Sequence, residues 1–260
     1  MRMFIKTAAI VGAFNMAAAT AVLASDLKPT IVLVHGAFAE SASWNGVIAD
    51  LTRDGFSVIA AANPLRSVGG DAAHVASVVG SVKGPVVLVG HSYAGAVISA
   101  IADQESNVKA LVYVAAFEPD VGESSLELTD KFPGSTLGPA LAPPVNLPNG
   151  EQDLYIQQDK FRAQFAADVP EADARLMAAA QRPVNQAALA ERAVRAAWET
   201  IPSWSIYGAA DRNIPPAAMA FMSDRAHARK TVVVPGASHL VMVSHPHEVA
   251  ALIEDAAKAK

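Results

Sequence analysis

Six short runs, residues 30–34 (TIVLV), 56–60 (FSVIA), 85–89 (PVVLV), 108–115 (VKALVYVA), 204–207 (WSIY) and 231–234 (TVVV), are apolar without alternating. A strand that turns one face to water alternates apolar and polar residues. A run that stays apolar has both faces covered, which is the habit of a parallel sheet with helices on each side. Helical patterns at 43–53, 71–82, 94–104 and 246–257 fall between or after these runs. The expected fold class is therefore α/β, a doubly wound and mostly parallel sheet. A chain of 260 residues that is 52% apolar and 17% charged can bury one large core, and this composition excludes disorder, collagen and coiled coil.

The strand and helix rhythm breaks between about 118 and 201. Pro119, Pro133, Pro139, Pro143, Pro144, Pro148 and Pro170 crowd the break, and alanine-rich helical stretches occupy 171–181 and 185–200. We read 119–200 as a helical lid inserted over a core made of 25–118 and 201–260. Its Phe132, Leu137, Leu141, Phe161, Phe165 and Met177 either line a substrate pocket or pack the lid onto the core. At the other end, Arg2 and Lys6 precede an apolar stretch from 7 to 23, and Val22-Leu23-Ala24 places small residues before Ser25. That is the pattern of a signal peptide over 1–24, cut after Ala24, for a protein exported to a periplasm or medium. An uncleaved anchor is the alternative, although the run is barely long enough to span a bilayer. Cleavage would take the formal charge from −5 to −7, and the mature chain expects neither a membrane nor a nucleic acid as partner. Cysteine is absent, which rules out a thiol nucleophile, a thiolate metal site and disulfides.

One strand pattern runs directly into Gly90-His91-Ser92-Tyr93-Ala94-Gly95 and then into a helical pattern. A serine on such a tight turn is held in a strained backbone conformation, so small neighbours must surround it. Gly90, Ala94 and Gly95 supply them, with Ala94 in place of the second glycine of the usual G-x-S-x-G wording. Serine needs a base, and the base needs a group that orients it. Asp211 comes after the fifth strand pattern and His239 after the sixth, both in loops at carboxyl ends, where a parallel sheet gathers such loops on one rim. Glu118 and Asp120 are alternative acids after the fourth strand. His91 suits a packing role beneath the turn. His239, His245 and His247 could be drawn as a metal cluster, but no carboxylate completes a known spacing, and neither metal nor cofactor is expected. The backbone amides of Tyr93 and of Ala37, in His35-Gly36-Ala37-Phe38, would stabilise an oxyanion, with His35 bracing that loop.

Taken together, His35-Gly36-Ala37 with Trp44, Leu88-Val89-Gly90-His91-Ser92, Val114-Ala115-Ala116-Phe117 with Pro119-Asp120, and Ser238-His239 make the chain resemble the α/β-hydrolase superfamily. Within it, they are similar to the plant methylesterase and hydroxynitrile lyase group and to small bacterial esterases. The resemblance runs from Lys28 to Lys260. It implies a cofactor-free carboxylic ester hydrolase. The lid matches no family motif, so the family's substrates do not carry over; its small, alanine-rich make-up and the aromatic residues around it point instead to small to medium uncharged esters, with Phe38, Trp44, Phe117 and Leu240 expected at the substrate. The lyase branch carries Thr where Gly36 stands and Lys where Leu240 stands, so both positions point to hydrolysis. Lyase or cofactor-free perhydrolase chemistry on the same triad, and a binding protein that keeps the fold without turnover, are the competing readings. Dehalogenase and epoxide hydrolase relatives place Asp where Ser92 stands. Oligomeric state leaves no mark in the sequence.

Overall fold

A computed structural model describes residues 28–101 and 106–259, so the expected signal peptide lies outside the described residues. The first part alternates strand and helix: β1 (Thr30–Val34), α1 (Asn45–Arg53) after a 3₁₀ turn at Ser41–Trp44, β2 (Val58–Ala61), α2 (Val68–Gly80), β3 (Val86–His91), α3 (Ala94–Ile101) and β4 (Val108–Val114). The middle holds α4 (Ser125–Asp130), α5 (Leu137–Ala140), β5 (Val145–Asn146), β6 (Gln152–Leu154), α6 (Gln158–Phe165), α7 (Glu171–Ala180), β7 (Val184–Asn185), α8 (Gln186–Ala190) and a second 3₁₀ turn at Ala197–Glu199. The chain then returns to β8 (Ser203–Gly208), α9 (Pro216–Arg225), β9 (Lys230–Val234), α10 (Val241–Ser244) and α11 (Pro246–Lys258).

The sheet is parallel throughout, in the order β2-β1-β3-β4-β8-β9. The helices pack as separate pairs, α1 on α11 and α2 on α3. Strand β3 explains the unbroken apolar runs, because Val86, Val87, Leu88 and Val89 are wholly buried. Each such side chain contributes about 1.5–3 kcal/mol of burial, so the strand is anchored firmly enough to hold a strained turn after it. Strand order reverses on either side of β1, with β2 on one flank and β3 on the other. In open α/β sheets the crevice at such a reversal, beyond the strands' carboxyl ends, is where ligands bind.

The segment after β4 departs from the expected helical lid in detail. A small antiparallel sheet, β5-β6-β7, replaces part of it, and strands of two or three residues carry no periodicity to read. The helix expected over 185–200 stops at Ala190. Beyond it, the Glu191 carboxylate accepts from the amides of Val68 (2.7 Å) and Gly69 (2.9 Å) at the start of α2, and Ala193 donates to the Glu123 carbonyl (2.8 Å). These tertiary partners override alanine's helix propensity. The same segment is tied to the core by Phe38 N–H to the Arg182 carbonyl (3.0 Å), Asn185 N–H to Leu65 (2.9 Å) and Leu240 N–H to Phe165 (3.2 Å). Helix α9, opened by a proline in its first turn, is a further element absent from the sequence reading. Among the described residues, no helix is long and apolar enough to cross a membrane.

Candidate active site

Ser92 stands between β3 and α3 with φ of 55°, in the left-handed region that a side chain other than glycine rarely adopts. Such strain amounts to about 1–3 kcal/mol and persists only where the surroundings over-determine it. They do here: the Ser92 amide donates to Val114 (3.2 Å), and its carbonyl accepts from Gly95 (2.9 Å) and Phe117 (3.2 Å). A Cβ on Gly95 would lie 2.0 Å from the Phe117 carbonyl oxygen. The close approach therefore falls on Gly95, and the methyl of Ala94 is accommodated in the core. Gly36 meets the turn from the other side, where a Cβ would lie 2.6 Å from the His91 carbonyl oxygen and 2.7 Å from Ser92 Cβ.

Three side chains from three strand ends meet in one hydrogen-bonded chain. His239 Nε2 lies 2.9 Å from Ser92 Oγ, and His239 Nδ1 lies 2.6 Å from Asp211 Oδ2. The other Asp211 oxygen accepts from the amides of Asn213 (2.8 Å) and Ile214 (3.1 Å), which fixes the carboxylate in its loop. With Asp211 accepting, Nδ1 carries the His239 proton and Nε2 faces the serine as an acceptor. His239 is fully buried and Ser92 retains 7% exposure. Beneath them His91 Nε2 donates to the His239 carbonyl (3.2 Å), and the two rings lie 4.8 Å apart. Burial, and then the neighbouring His239, holds His91 well below the ordinary histidine range, so it supports the loop as a neutral ring. The Glu118 carboxyl is buried with no hydrogen-bond partner on either oxygen, and Asp120 takes up the Val121 amide. The histidines drawn as a metal cluster turn elsewhere, His245 to Ser244 and Asp168, His247 to Asp50.

The amides of Ala37 and Tyr93 donate to no protein group among the described residues. Donors left open beside a nucleophile are what a developing oxyanion needs. His35 braces the first of these loops: its Nδ1 donates to Gly36 O (3.0 Å), its Nε2 accepts from Asn63 N (3.0 Å), and Asn63 Nδ2 donates to its carbonyl (2.9 Å). Burial, with Arg182 adding charge repulsion, lowers His35 to about 4, so it is neutral at neutral pH.

A cavity of about 410 Å³ opens beside this loop, lined by Phe38, Ala42, Met177, Ala180 and Val243, with the acidic side chains Glu40 and Asp173 among its walls. Of the residues expected at the substrate, Phe38 lines this cavity, while Trp44 and Leu240 are fully buried and do not line it. The Trp44 ring meets His91 edge-on, and Leu240 is held through its amide by Phe165. Phe117 serves the turn through its backbone and is 5% exposed. Other contributors carry no mark in the sequence. The Phe165 ring lies 5.0 Å from the His239 ring, and Ser238 Oγ donates to Asp168, so the inserted segment grips the histidine loop. A lone acid seventy residues upstream gives no sequence signal of such a contact.

A model of the alpha/beta hydrolase family matches residues 31–252. The carbendazim hydrolyzing esterase of Nocardioides sp. (strain SG-4G) is 33% identical over 116 residues, 38% of this chain and 47% of that protein, so the match spans about half the relative's length. Among solved structures, polyneuridine aldehyde esterase superposes with a TM-score of 0.75 at 19% identity, over 88% of this chain and 99% of its own. A pyrethroid hydrolase from Sphingobium faniae JZ-2 does so with a TM-score of 0.71 at 23% identity, over 89% and 98%. At these identities the structures bear on fold.

Proposed function

The chain belongs to the alpha/beta hydrolase family, and from that premise we propose that it is a serine hydrolase cleaving uncharged carboxylic esters through an acyl-enzyme on Ser92. The observation that carries this reading is the continuous chain from Ser92 through His239 to Asp211, at 2.9 and 2.6 Å. His239 takes the Ser92 proton as Oγ attacks the ester carbonyl, and Asp211 stabilises the imidazolium that forms. The carbonyl oxygen gains charge against the amides of Ala37 and Tyr93. The tetrahedral adduct collapses as His239 returns the proton to the departing alkoxide. Water, activated by the same histidine, then releases the acid.

The cavity beside Phe38 receives the longer apolar arm of the ester, since its walls join the oxyanion loop to helix α7, and its volume falls in the range of pockets that bury drug-sized ligands. Glu40 and Asp173 on those walls disfavour an arm bearing a carboxylate. That the relative named above is a carbendazim hydrolyzing esterase supports ester hydrolysis. Export after cleavage near Ala24 remains part of this proposal.

The test is p-nitrophenol release from acetate, butyrate and octanoate esters by the wild type and Ser92→Ala. Steady turnover that falls by about 10³ or more in the variant is expected. Equal rates in both proteins would remove Ser92 from the mechanism, and one burst without turnover would favour a binding protein of the same fold.

A further inference from the structure

Asp71 plays no part in the triad, yet it is fully buried and points at the residue after the nucleophile. The Tyr93 phenol donates to Asp71 Oδ2 at 2.9 Å, and the Arg66 amide donates to Asp71 Oδ1 at 3.1 Å. Both Asp71 and Tyr93 are closed to solvent. Burial pushes the Tyr93 phenol far above its ordinary range, and the Asp71 charge adds to the shift, so the phenol remains a donor. Arg66 carries the connection outward, with Nη1 on Asp153 Oδ1 at 2.6 Å and Nη2 on the Pro183 carbonyl at 3.1 Å. Both of those partners lie in the inserted segment.

We propose that Asp71 is a positioning residue for the oxyanion-stabilising amide of Tyr93, and that Arg66 ties this tether to the segment lying over the sheet. The inference rests on the reading of Ser92 as nucleophile. Its logic is geometric. The peptide plane that carries the Tyr93 amide is held at one end, where the Ser92 carbonyl accepts from Gly95 (2.9 Å) and Phe117 (3.2 Å), while its N–H end has no protein partner among the described residues. The Tyr93 ring is the lever attached to that end, and among the described residues its polar end is pinned by Asp71 alone. Loosening the pin tilts the amide away from the developing oxyanion while the substrate's ground-state contacts stay as they were. Transition-state stabilisation is then lost with little change in binding.

The test uses Tyr93→Phe, Asp71→Ala and Asp71→Asn, read by kcat and KM on p-nitrophenyl butyrate and by the rate at which a fluorophosphonate labels Ser92. In Asp71→Asn the amide oxygen still accepts from Arg66 and the amide nitrogen can donate to the phenol oxygen, so this variant keeps the pin. Expected are about tenfold losses in kcat and in labelling for Tyr93→Phe and Asp71→Ala, KM within about twofold, a double variant no worse than either single one, and rescue to within about threefold by Asn. Labelling at the wild-type rate in Tyr93→Phe and Asp71→Ala, or equal effects on KM and kcat, would overturn the proposal. A wild type that is not labelled at Ser92 would instead bring down the nucleophile reading, and this inference with it.

Discussion

Glu118 sits next to Phe117 at the rim of the sheet with no accessible surface, and neither of its carboxyl oxygens makes a hydrogen bond. Burial pushes its carboxyl up from 4.5 to about 8, with nearby Ser205 and Arg225 drawing the value back only part of the way. The folded state therefore holds this proton more tightly than the unfolded chain does. For a group with a raised folded value, the stabilising contribution is complete below the unfolded value of 4.5 and is lost as pH rises through 8. Integrated between pH 5 and pH 9, the loss is about 4 kcal/mol. Local opening that hydrates the carboxylate sets this figure as a ceiling. Urea denaturation at pH 5, 7 and 9 reads it directly, with Glu118→Gln as a neutral replacement of the same shape and Glu118→Leu as an apolar one. Wild-type stability should decline across this range more steeply than either variant, and both variants should overtake it above pH 8. Parallel pH profiles for all three proteins would refute the reasoning and place the proton elsewhere.

Other perturbations separate the parts of the site. Asp211→Asn should keep the fold by circular dichroism yet reduce kcat by about 10⁴, because the amide favours the wrong tautomer of His239. Gly95→Ala drives a methyl carbon against the Phe117 carbonyl, which a Cβ would approach to 2.0 Å, and should destabilise by about 1–3 kcal/mol in thermal melts. Gly138→Ala, with nothing within 4 Å of its Cβ, should be neutral or slightly stabilising. Met177→Trp narrows the cavity beside Phe38 and should reduce kcat/KM for the octanoate ester several-fold relative to acetate. An unchanged ratio would detach that cavity from substrate binding.

The parallel sheet is legible in the sequence because its strands are buried on both faces and so stay apolar from end to end. Ser92, Asp211 and His239 each come directly after such a run, and parallel strands bring their carboxyl-end loops together on one rim. The inserted segment is not legible to the same degree. Its strands are too short to show a period, and the alanine-rich stretch after Ala190 leaves the α-helix because Glu191 is drawn to the start of α2. Trp44 and Leu240 suggest substrate contacts only through their nearness in sequence to the chemistry. In the fold they fill the layer beneath it, where a large side chain is needed to support loops made of small ones. Asp71 and Asp168 give no warning of their contacts, since a single acid in a chain says nothing about what it faces across the core, and Glu118 draws notice as an alternative acid but not as a buried one.

The glycines that stand out in the sequence also explain why the reacting groups should be hard to displace. Gly36 lets the oxyanion loop rest on His91 and Ser92, Gly95 lets the serine turn rest on the chain after β4, and a Cβ on Gly208 would lie 2.1 Å from the Ala237 carbonyl, where the aspartate loop meets the histidine loop. In each contact the nearest atom is a main-chain carbonyl oxygen, which cannot swing aside as a flexible side chain does. The spacing of Ser92, His239 and Asp211 is thus set by main-chain packing at the ends of β1, β3 and β8. What remains adjustable lies above that stack, in Phe38 on its positive-φ turn, Met177 on α7 and the tether from Arg66 to Asp153. Changes in the stack should lower turnover for every ester alike, whereas changes above it should reorder esters by size. In a molecule built this way, the proposed selectivity can change by substitution in the inserted segment without disturbing the hydrogen bonds that join Ser92, His239 and Asp211.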